Sequence, residues 1–142
     1  MIIRKAIASD VDQIVSIEKE SFESPWSRTS IIEEFSRPDT ETFTAFSEDV
    51  ASGYCFVRFG IDEAELFKIA VSINSRRKGI ARALYLEAEQ ICIKSGKTRI
   101  FLEVDEINTS AISLYESVGF VEISRRKNYY GNRSAIIMLK SL

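Results

Sequence analysis

The sequence of 142 residues contains no histidine. This absence excludes an imidazole general base, a Ser-His or Cys-His nucleophile, and any metal site that uses histidine. Any proton transfer must therefore rely on a carboxylate, a tyrosine or a lysine side chain.

Cysteine and long apolar runs are also scarce. The two cysteines, Cys55 and Cys92, sit in apolar patterns without a CxxC or other ligand spacing, which is typical of buried thiols rather than of disulfides or metal ligands. No apolar run approaches the roughly 20 residues that span a bilayer, and no signal-peptide stretch follows the first residues. We therefore expect a cytoplasmic protein with no membrane partner.

Positive and negative charges are nearly balanced. The formal net charge is -2 and the isoelectric point is near 5.3, whereas nucleic-acid-binding domains are usually basic overall. The chain has 45% hydrophobic and 28% charged residues and no repeat or Pro/Gly/Ser-rich linker. Its length and composition predict a single globular domain over residues 1–142 with no nucleic-acid partner.

Strand and helix patterns alternate along the chain. Period-two runs rich in β-branched and aromatic residues predict strands, and apolar residues at helical spacing predict helices. Ser9 and Asp12 resemble a capping box before the first helix, and Ser27 can cap the second. The predicted strands are 1–7, 42–47, 53–59, 64–71, 99–104, 121–129 and 135–140, and the predicted helices are about 11–22, 27–35, 80–93 and 108–118. The fold class is therefore a mixed α/β (α+β) sheet.

A basic loop with one glycine separates the strand 64–71 from the helix 80–93. Gly79 and Ala81 have little or no side chain, so backbone N–H groups at the start of the helix can approach an anion, and the helix dipole adds to the attraction. The positive charges around these amides suit a diphosphate and come from Arg76, Arg77, Lys78 and Arg82. A solvated basic turn before an ordinary helix would show the same residues, so the loop alone leaves both readings open.

Glu103 is a candidate general base. In the strand 99–104 it shares one face with Phe101, while the apolar residues Ile100, Leu102 and Val104 share the other. A carboxylate at that position would be partly desolvated, which favours its use as a base toward an ammonium substrate. The pattern fits equally a glutamate at the end of a sheet that pairs with lysine or arginine.

Tyr115 is a candidate general acid. Asn108, Ile112 and Tyr115 fall on one helix face, beside Ala111, and that face is expected to point at the sheet. A phenol there can donate a proton to a departing thiolate. A tyrosine that merely packs in the core would show the same spacing.

The order of these features resembles the GNAT acetyltransferase superfamily over essentially the whole chain, and within it the RimI-like group, which acetylates the N-terminal alanine of small-subunit ribosomal protein eighteen. The stretches that carry the resemblance are Ser24-Pro25-Trp26-Ser27, residues 62–71, Leu102-Glu103-Val104, residues 111–120 and residues 125–130. The resemblance implies a GNAT fold, a mixed and mostly antiparallel twisted sheet of six to seven strands with about four helices, splayed between the fourth and fifth strands.

The same resemblance implies acetyl-CoA as cosubstrate, with no metal, and direct attack of an amine on the thioester. Glu103 would be the base, Tyr115 the acid, and the Val71 N–H a plausible oxyanion donor. Ile69, Ala70 and Val71 would bond the pantetheine arm, and Asn108 would contact the carrier near its reacting end. The pyrophosphate would lie on Arg76, Arg77, Lys78, Gly79, Ile80, Ala81 and Arg82.

The amine substrate is less well defined by the sequence. Pro25, Trp26, Tyr129 and Tyr130 are candidate walls of a groove for a peptide N-terminus, although loop aromatics also commonly cap a core. Lys68 stands where the RimI-like pattern has a neutral polar residue such as asparagine. The segment 131–134 is short and lacks the acidic residues usual in that group, for which Glu23, Glu63 and Glu65 are possible replacements.

Three functions fit these observations. The first is a protein N-terminal acetyltransferase, whose substrate would be a ribosomal or other protein. The second is an acetyltransferase for a small amine such as a polyamine, an amino acid or a drug-like amine, which a closed acidic pocket would favour. The third is an acetyl-CoA-binding module without catalysis, which Glu103 and Tyr115 argue against.

Overall fold

The computed structural model describes all residues from Met1 to Leu142, with seven strands in one sheet and helices on both faces. The strands are β1 Ile2–Lys5, β2 Thr40–Ser47, β3 Val50–Phe59, β4 Glu63–Val71, β5 Arg99–Asp105, β6 Val121–Arg126 and β7 Ala135–Ser141. The helices are α1 Val11–Ser21, α2 Arg28–Phe35, α3 Ile80–Lys94 and α4 Thr109–Ser117. This architecture confirms the predicted fold class. None of the four helices is both long enough and apolar enough to cross a membrane.

The sheet opens between its fourth and fifth strands. Its order is β1-β2-β3-β4-β5-β7-β6, and every neighbouring pair is antiparallel except β4 and β5, which are parallel. These two strands pair only over the stretches Glu63 to Glu65 and Arg99 to Phe101. Beyond that point each strand has lost one partner, so its backbone groups on that side have no strand to pair with. The predicted splay is therefore confirmed.

Two hydrophobic cores lie on opposite faces of the sheet. Helices α3 and α4 cover one face, which we call the α3 face, and its core includes Leu66, Leu84, Leu102 and Tyr115. Helices α1 and α2 cover the other, the α1 face, with Ile14, Ile31, Tyr54 and Phe56 at its centre. A side chain on β4 or β5 therefore faces one of two separate environments.

A β-bulge in β4 decides which environment each residue meets. Opposite β3, Phe56 pairs with Lys68 and Val57 pairs with Leu66, so Phe67 is the extra residue. Because a bulge offsets the alternation of side chains by one, Leu66 packs in the core of the α3 face whereas Lys68 and Ala70 face α1. The bulge lies where β4 leaves β5.

The predicted capping box before α1 is wrong. A short 3-10 turn at Ala8–Asp10 precedes α1, and β1 ends at Lys5. The Asp10 carboxylate accepts a hydrogen bond from the Ile7 N–H at 2.8 Å and pairs with Arg4 at 2.7 Å. Asp12, the other half of the predicted box, pairs instead with Arg28. The extra turn moves the cap two residues from the predicted position.

The strand predicted at 121–129 ends three residues early. Arg126 is its last residue paired with β7, opposite Ala135. Asn128 then adopts a left-handed conformation with φ of 57°, which breaks an extended strand. Tyr129 consequently lies with Tyr130 in the β6–β7 loop, residues 127–134, and not on the strand.

Candidate active site

A cavity of ≈ 540 Å³ occupies the splayed end of the sheet. Its walls come from the end of β4, the basic loop with the first turn of α3, helix α4 with its cap, and the last residues of α1. All the residues that the sequence assigned to the acyl carrier line it except Lys78. Lining residues that the sequence analysis missed are Ser21, Phe22, Ser75, Ser110, Ala111 and Leu114. Ser21 and Phe22 come from the end of α1, far from the rest of the lining in sequence, and no local pattern singles out the other four.

The edge of β4 presents backbone groups to this cavity. The Ser72 N–H donates to the Ser52 carbonyl at 2.8 Å, and hydrogen-bonded pairs alternate with non-bonded pairs in an antiparallel ladder. With Val71 opposite Gly53 and Ala70 opposite Tyr54, the N–H and C=O groups of Val71 and Ile69 point away from β3, toward the gap. The backbone of Ala70 points to β3, so Ala70 can offer the gap no backbone hydrogen bond.

The basic loop ends in an anion-compatible helix start. Gly79, the residue before α3, has φ of 78° and provides no side-chain cap. The Ala83 N–H makes the first helical bond, to the Gly79 carbonyl at 3.0 Å. The N–H groups of the preceding helical residues have no partner within the helix, which is the usual site for a phosphate.

The four cations of this loop have different surroundings. Arg76 donates to the Val71 carbonyl at 3.0 Å and contacts Ser21 Oγ at 3.5 Å, so it bridges two walls of the cavity. Arg82 donates to Ser117 Oγ at 3.1 Å. Arg77 and Lys78 are exposed and make no ion pair with the chain. Their charges are therefore uncompensated beside the helix start.

Tyr115 is both a core residue and a wall of the cavity. Its side chain is 6% exposed and packs edge-on against Phe120, with the ring centroids 5.8 Å apart. Burial raises the pKa of its phenol above the ordinary value, chiefly through desolvation. Its hydroxyl has no partner among the hydrogen bonds of the chain, so the proton is free for a ligand in the cavity.

Asn108 does not lie on the face of α4 but caps the helix. Its side-chain oxygen accepts a hydrogen bond from the Ala111 N–H at 3.3 Å. The cap fixes the first turn of α4 against the cavity, and the amide NH₂ group of Asn108 remains without a partner.

Glu103 lies across the sheet from Tyr115. The last residue of β5 that pairs with β4 is Phe101, and Glu103 lies two positions after it. Its side chain is 26% exposed and forms an ion pair with Arg126 at 3.0 Å. Glu103 is not part of the cavity lining, and the pairing with arginine that the sequence left open is present.

Glu65 is a second carboxylate beside Glu103. Burial raises its pKa most, and the negative charge of Glu103 raises it further, against the opposing charge of Arg58. The other two acidic candidates lie elsewhere. Glu63 pairs with Arg99 at 2.6 Å, and Glu23 lies near Arg133 of the β6–β7 loop, whose pKa it helps to raise.

The predicted groove aromatics fall into two sets, one at the core of the α1 face and one in the β6–β7 loop. Trp26 packs on Phe67 and Phe56, with centroid distances of 5.5 and 6.3 Å, so one side of its ring caps the core of the α1 face. Pro25 is exposed. Tyr129 and Tyr130 contact each other edge-on at 5.1 Å, and desolvation, followed by the charges of Asp105 and Glu103, raises the pKa of Tyr130.

Comparison with known proteins shows which protein family has this arrangement. Residues 11–120 match the model of the Acetyltransferase (GNAT) family. The chain belongs to this family. The match spans the cavity, the basic loop and both candidate catalytic residues, and it identifies the chain as an N-acetyltransferase.

Relatives of this GNAT chain match it along most of its length. The [ribosomal protein bS18]-alanine N-acetyltransferase of Escherichia coli (strain K12) is 34% identical over 92% of the chain and 90% of its own length. The enzyme of the same name from Haemophilus ducreyi is 31% identical over 96% of the chain and 97% of its own length. The crystal structure of the ribosomal-protein-S18-alanine N-acetyltransferase from Escherichia coli superimposes with a TM-score of 0.92, at 30% identity, over 99% of this chain and 92% of that one. The resemblance to the RimI-like group is confirmed.

Proposed function

We propose that this chain transfers an acetyl group from acetyl-CoA to the N-terminal α-amine of a protein, with an N-terminal alanine as the preferred acceptor. The observation that carries the proposal is the end of β4–β5 pairing after Glu65 and Phe101, with Tyr115 in the cavity on the α3 face and Glu103 on the α1 face of β5. A thioester in that opening is accessible to an acid from one side and to an amine from the other. The names of the relatives supply the acceptor, ribosomal protein bS18.

Acetyl-CoA lies in the cavity with its pyrophosphate at the start of α3 and its thioester near Asn108. Its pyrophosphate lies on the unbonded N–H groups at the start of α3, beside the free charges of Arg77 and Lys78. Its pantetheine arm bonds the backbone of Ile69, which faces the gap, whereas the Val71 carbonyl already accepts from Arg76 and the Val71 N–H is left for the thioester oxygen. Asn108 contacts the carrier near the thioester. No metal has a part in this arrangement.

Catalysis begins with removal of a proton from the substrate ammonium. Glu103 accepts that proton through a water molecule, and the neutral amine attacks the thioester carbon directly. A tetrahedral oxyanion forms, and the Val71 N–H stabilises it because that group points into the gap. The C–S bond then breaks, and the electron pair leaves on the sulfur of coenzyme A.

Tyr115 donates its proton to that sulfur. With ordinary pKa values of about 10 for a phenol and about 8.5 for a thiol, the transfer would be unfavourable in water. Burial raises the pKa of both groups, because desolvation makes a thiolate more basic just as it does a phenolate. The thiol of Cys55, buried in the same core as Tyr115, has its pKa raised to about 12, mainly by desolvation. Burial therefore raises the proton affinity of the leaving thiolate together with that of Tyr115, and Tyr115 donates its proton as negative charge develops on the sulfur.

The acceptor lies between the segment 22–27 and the β6–β7 loop. Glu23 of the first segment is close enough to Arg133 of the loop to raise its pKa, and the charge of Glu103 raises the pKa of Tyr130 in the same loop. Two carboxylates suit an ammonium group followed by a basic residue. An open groove between these segments would favour a peptide over a small amine, which a closed pocket would suit better.

A thiol-release assay with acetyl-CoA tests the proposal. We expect turnover of a peptide that begins Ala-Arg, and none of the same peptide with its N-terminus already acetylated. Polyamines and free amino acids serve as comparison substrates. Turnover of these small amines without turnover of any peptide would instead support a small-molecule acetyltransferase, and absence of turnover with every amine would leave only binding of acetyl-CoA.

Replacing Gly79 with alanine is expected to raise the KM for acetyl-CoA by about tenfold, equivalent to about 1.4 kcal/mol. A Cβ at Gly79 meets no atom within 4 Å, so the change acts through the left-handed backbone, with φ of 78°, that aims the N–H groups of the loop. A non-glycine residue in that conformation costs roughly 1–2 kcal/mol. Steady-state kinetics with varied acetyl-CoA measure the effect.

Gly96→Ala is the matched control for this prediction. Gly96 follows the opposite end of α3, has φ of 77°, and also has open space around its Cβ position. Its replacement should cost similar thermal stability and leave the KM for acetyl-CoA unchanged. Equal KM values for the two variants would contradict the assignment of the pyrophosphate to this loop.

A further inference from the structure

An ion pair buried under the segment 22–27 has no part in the proposed chemistry. Lys68 Nζ lies 2.7 Å from Glu18 Oε2, with the Lys68 side chain 12% exposed and Glu18 fully buried. Glu18 belongs to α1 and Lys68 to β4, so the pair links a helix to the strand that borders the cavity. Lys68 reaches Glu18 only because the bulge at Phe67 turns it to the α1 face.

The pair holds the segment 22–27 from beneath. The Trp26 N–H donates to the same Glu18 oxygen at 2.8 Å. The Lys68 ammonium lies over the rings of Trp26 and Phe22, at 4.1 and 4.4 Å from their centroids. Tyr54 donates its hydroxyl hydrogen bond to the second Glu18 oxygen. The backbone of Trp26 and both aromatic rings of the segment are thus fixed by one pair of charges.

The charge of Lys68 is directed inward and not to the groove. Its ammonium is neutralised by Glu18 and covered by two rings, so it adds no net positive charge to the acceptor side. A specificity effect through repulsion of a cationic substrate is therefore excluded. What Lys68 determines is where the segment lies relative to β4.

We propose that Lys68 is a positioning residue for the amine substrate, which acts by fixing the segment 22–27 at the edge of the acceptor groove. The inference rests on the proposed function, since it takes that segment as a wall of the groove. Removal of Lys68 leaves the Glu18 carboxylate with one fewer donor in a fully buried site, which is strongly unfavourable. Glu18 then takes up water, and the segment loosens as it does so.

The chain provides its own probe of this segment, because Trp26 is its only tryptophan. We expect Lys68→Met to increase quenching of Trp26 fluorescence by acrylamide. The same variant should raise the KM for an Ala-Arg peptide by about tenfold, because a wall that must be ordered on binding costs affinity. The KM for acetyl-CoA should rise much less, because Phe22 is the only residue of the segment that lines the donor cavity. Lys68→Arg keeps the charge and a planar group that stacks on aromatic rings, and should restore both readouts.

A second Lys–Glu–Tyr set on the other face of the sheet is a matched control. Lys140 pairs with Glu89, which also accepts from the Tyr85 hydroxyl at 3.1 Å, and Lys140 lies over the Tyr85 ring at 5.6 Å. Lys140→Met should lower thermal stability and change neither Trp26 quenching nor the KM for peptide. If Lys68→Met folds poorly, the double variant Lys68→Met/Glu18→Gln removes both charges and takes its place.

The outcomes separate this inference from the proposed function. Wild-type quenching in Lys68→Met and in the double variant would overturn the inference, as would an equal rise of both KM values or the same changes in Lys140→Met. Quenching does not require a substrate. Increased quenching together with a wild-type enzyme that acetylates no peptide would overturn the proposed function and, with it, the role of Lys68 toward the amine, while the link between Lys68 and the segment would stand.

Discussion

Replacing Glu103 with glutamine is expected to lower kcat by about 10²- to 10⁴-fold, the contribution typical of a general base. Glutamine has the size of glutamate and can still accept a hydrogen bond from Arg126, which lies 3.0 Å away, so the local structure should persist. It cannot accept the proton of an ammonium group. Steady-state kinetics with an Ala-Arg peptide measure the effect, and the KM for acetyl-CoA should not change.

Glu65→Gln is the informative control for this variant. Glu65 lies beside Glu103, and its pKa is raised chiefly by burial. A raised pKa is also what a base that works near neutral pH requires. If Glu103 is the base, Glu65→Gln should alter the KM for peptide and retain most of kcat. A loss of kcat in Glu65→Gln with wild-type kcat in Glu103→Gln would transfer the role to Glu65.

Replacing Tyr115 with phenylalanine is expected to lower kcat by about 10²- to 10⁴-fold, because coenzyme A would have to leave as an unprotonated thiolate. The phenyl ring should keep its edge-on contact with Phe120, now at 5.8 Å, so the core should hold. Single-turnover kinetics at saturating acetyl-CoA isolate the chemical step. Because burial raises the pKa of Tyr115, the acid form persists as pH rises, and the wild-type rate should show no loss from this group up to about pH 10.

Tyr85→Phe tests whether such a loss is specific. Tyr85 also packs edge-on against Phe120, with centroids 5.4 Å apart, and burial likewise raises its pKa. Its hydroxyl bonds to Glu89 and does not line the cavity. We expect lower stability with kcat close to wild type. A loss of kcat similar to that of Tyr115→Phe would mean that disturbance of the core, and not a missing proton donor, slows the reaction.

The fold was largely predictable because its elements have strong local signals. Ser27 does cap α2, where its side chain accepts from the Ser30 N–H at 3.1 Å. The alternation around Glu103 correctly separated the two faces of β5. The wrong predictions concern the ends of elements, where the local backbone conformation overrides the pattern of apolar residues. A 3-10 turn displaced the cap of α1, and the left-handed Asn128 ended β6 early.

The candidate site was predictable only in part. The basic loop, Glu103 and Tyr115 could be named because their residue types and order match a family pattern. Ser21 and Phe22 could not, since they reach the cavity from α1, far from the rest of the lining in sequence. The sequence also could not show which of Glu23, Glu63 and Glu65 lies beside Glu103, because their distances from Glu103 depend on how three elements pack.

The sequence by itself determined the chemistry that is possible: without histidine, the proton transfers fall to carboxylate and phenol, and the loop Arg76 to Arg82 offers cations and N–H groups to a phosphate. Only the tertiary structure decided how these groups meet. Parallel pairing of β4 and β5 stops after Glu65 and Phe101, which leaves one edge of β4 without a strand partner and opens the sheet at that point. The bulge at Phe67 then turns Lys68 toward α1. Both depend on strand register, which is set by packing across the whole sheet and is not encoded in any single segment.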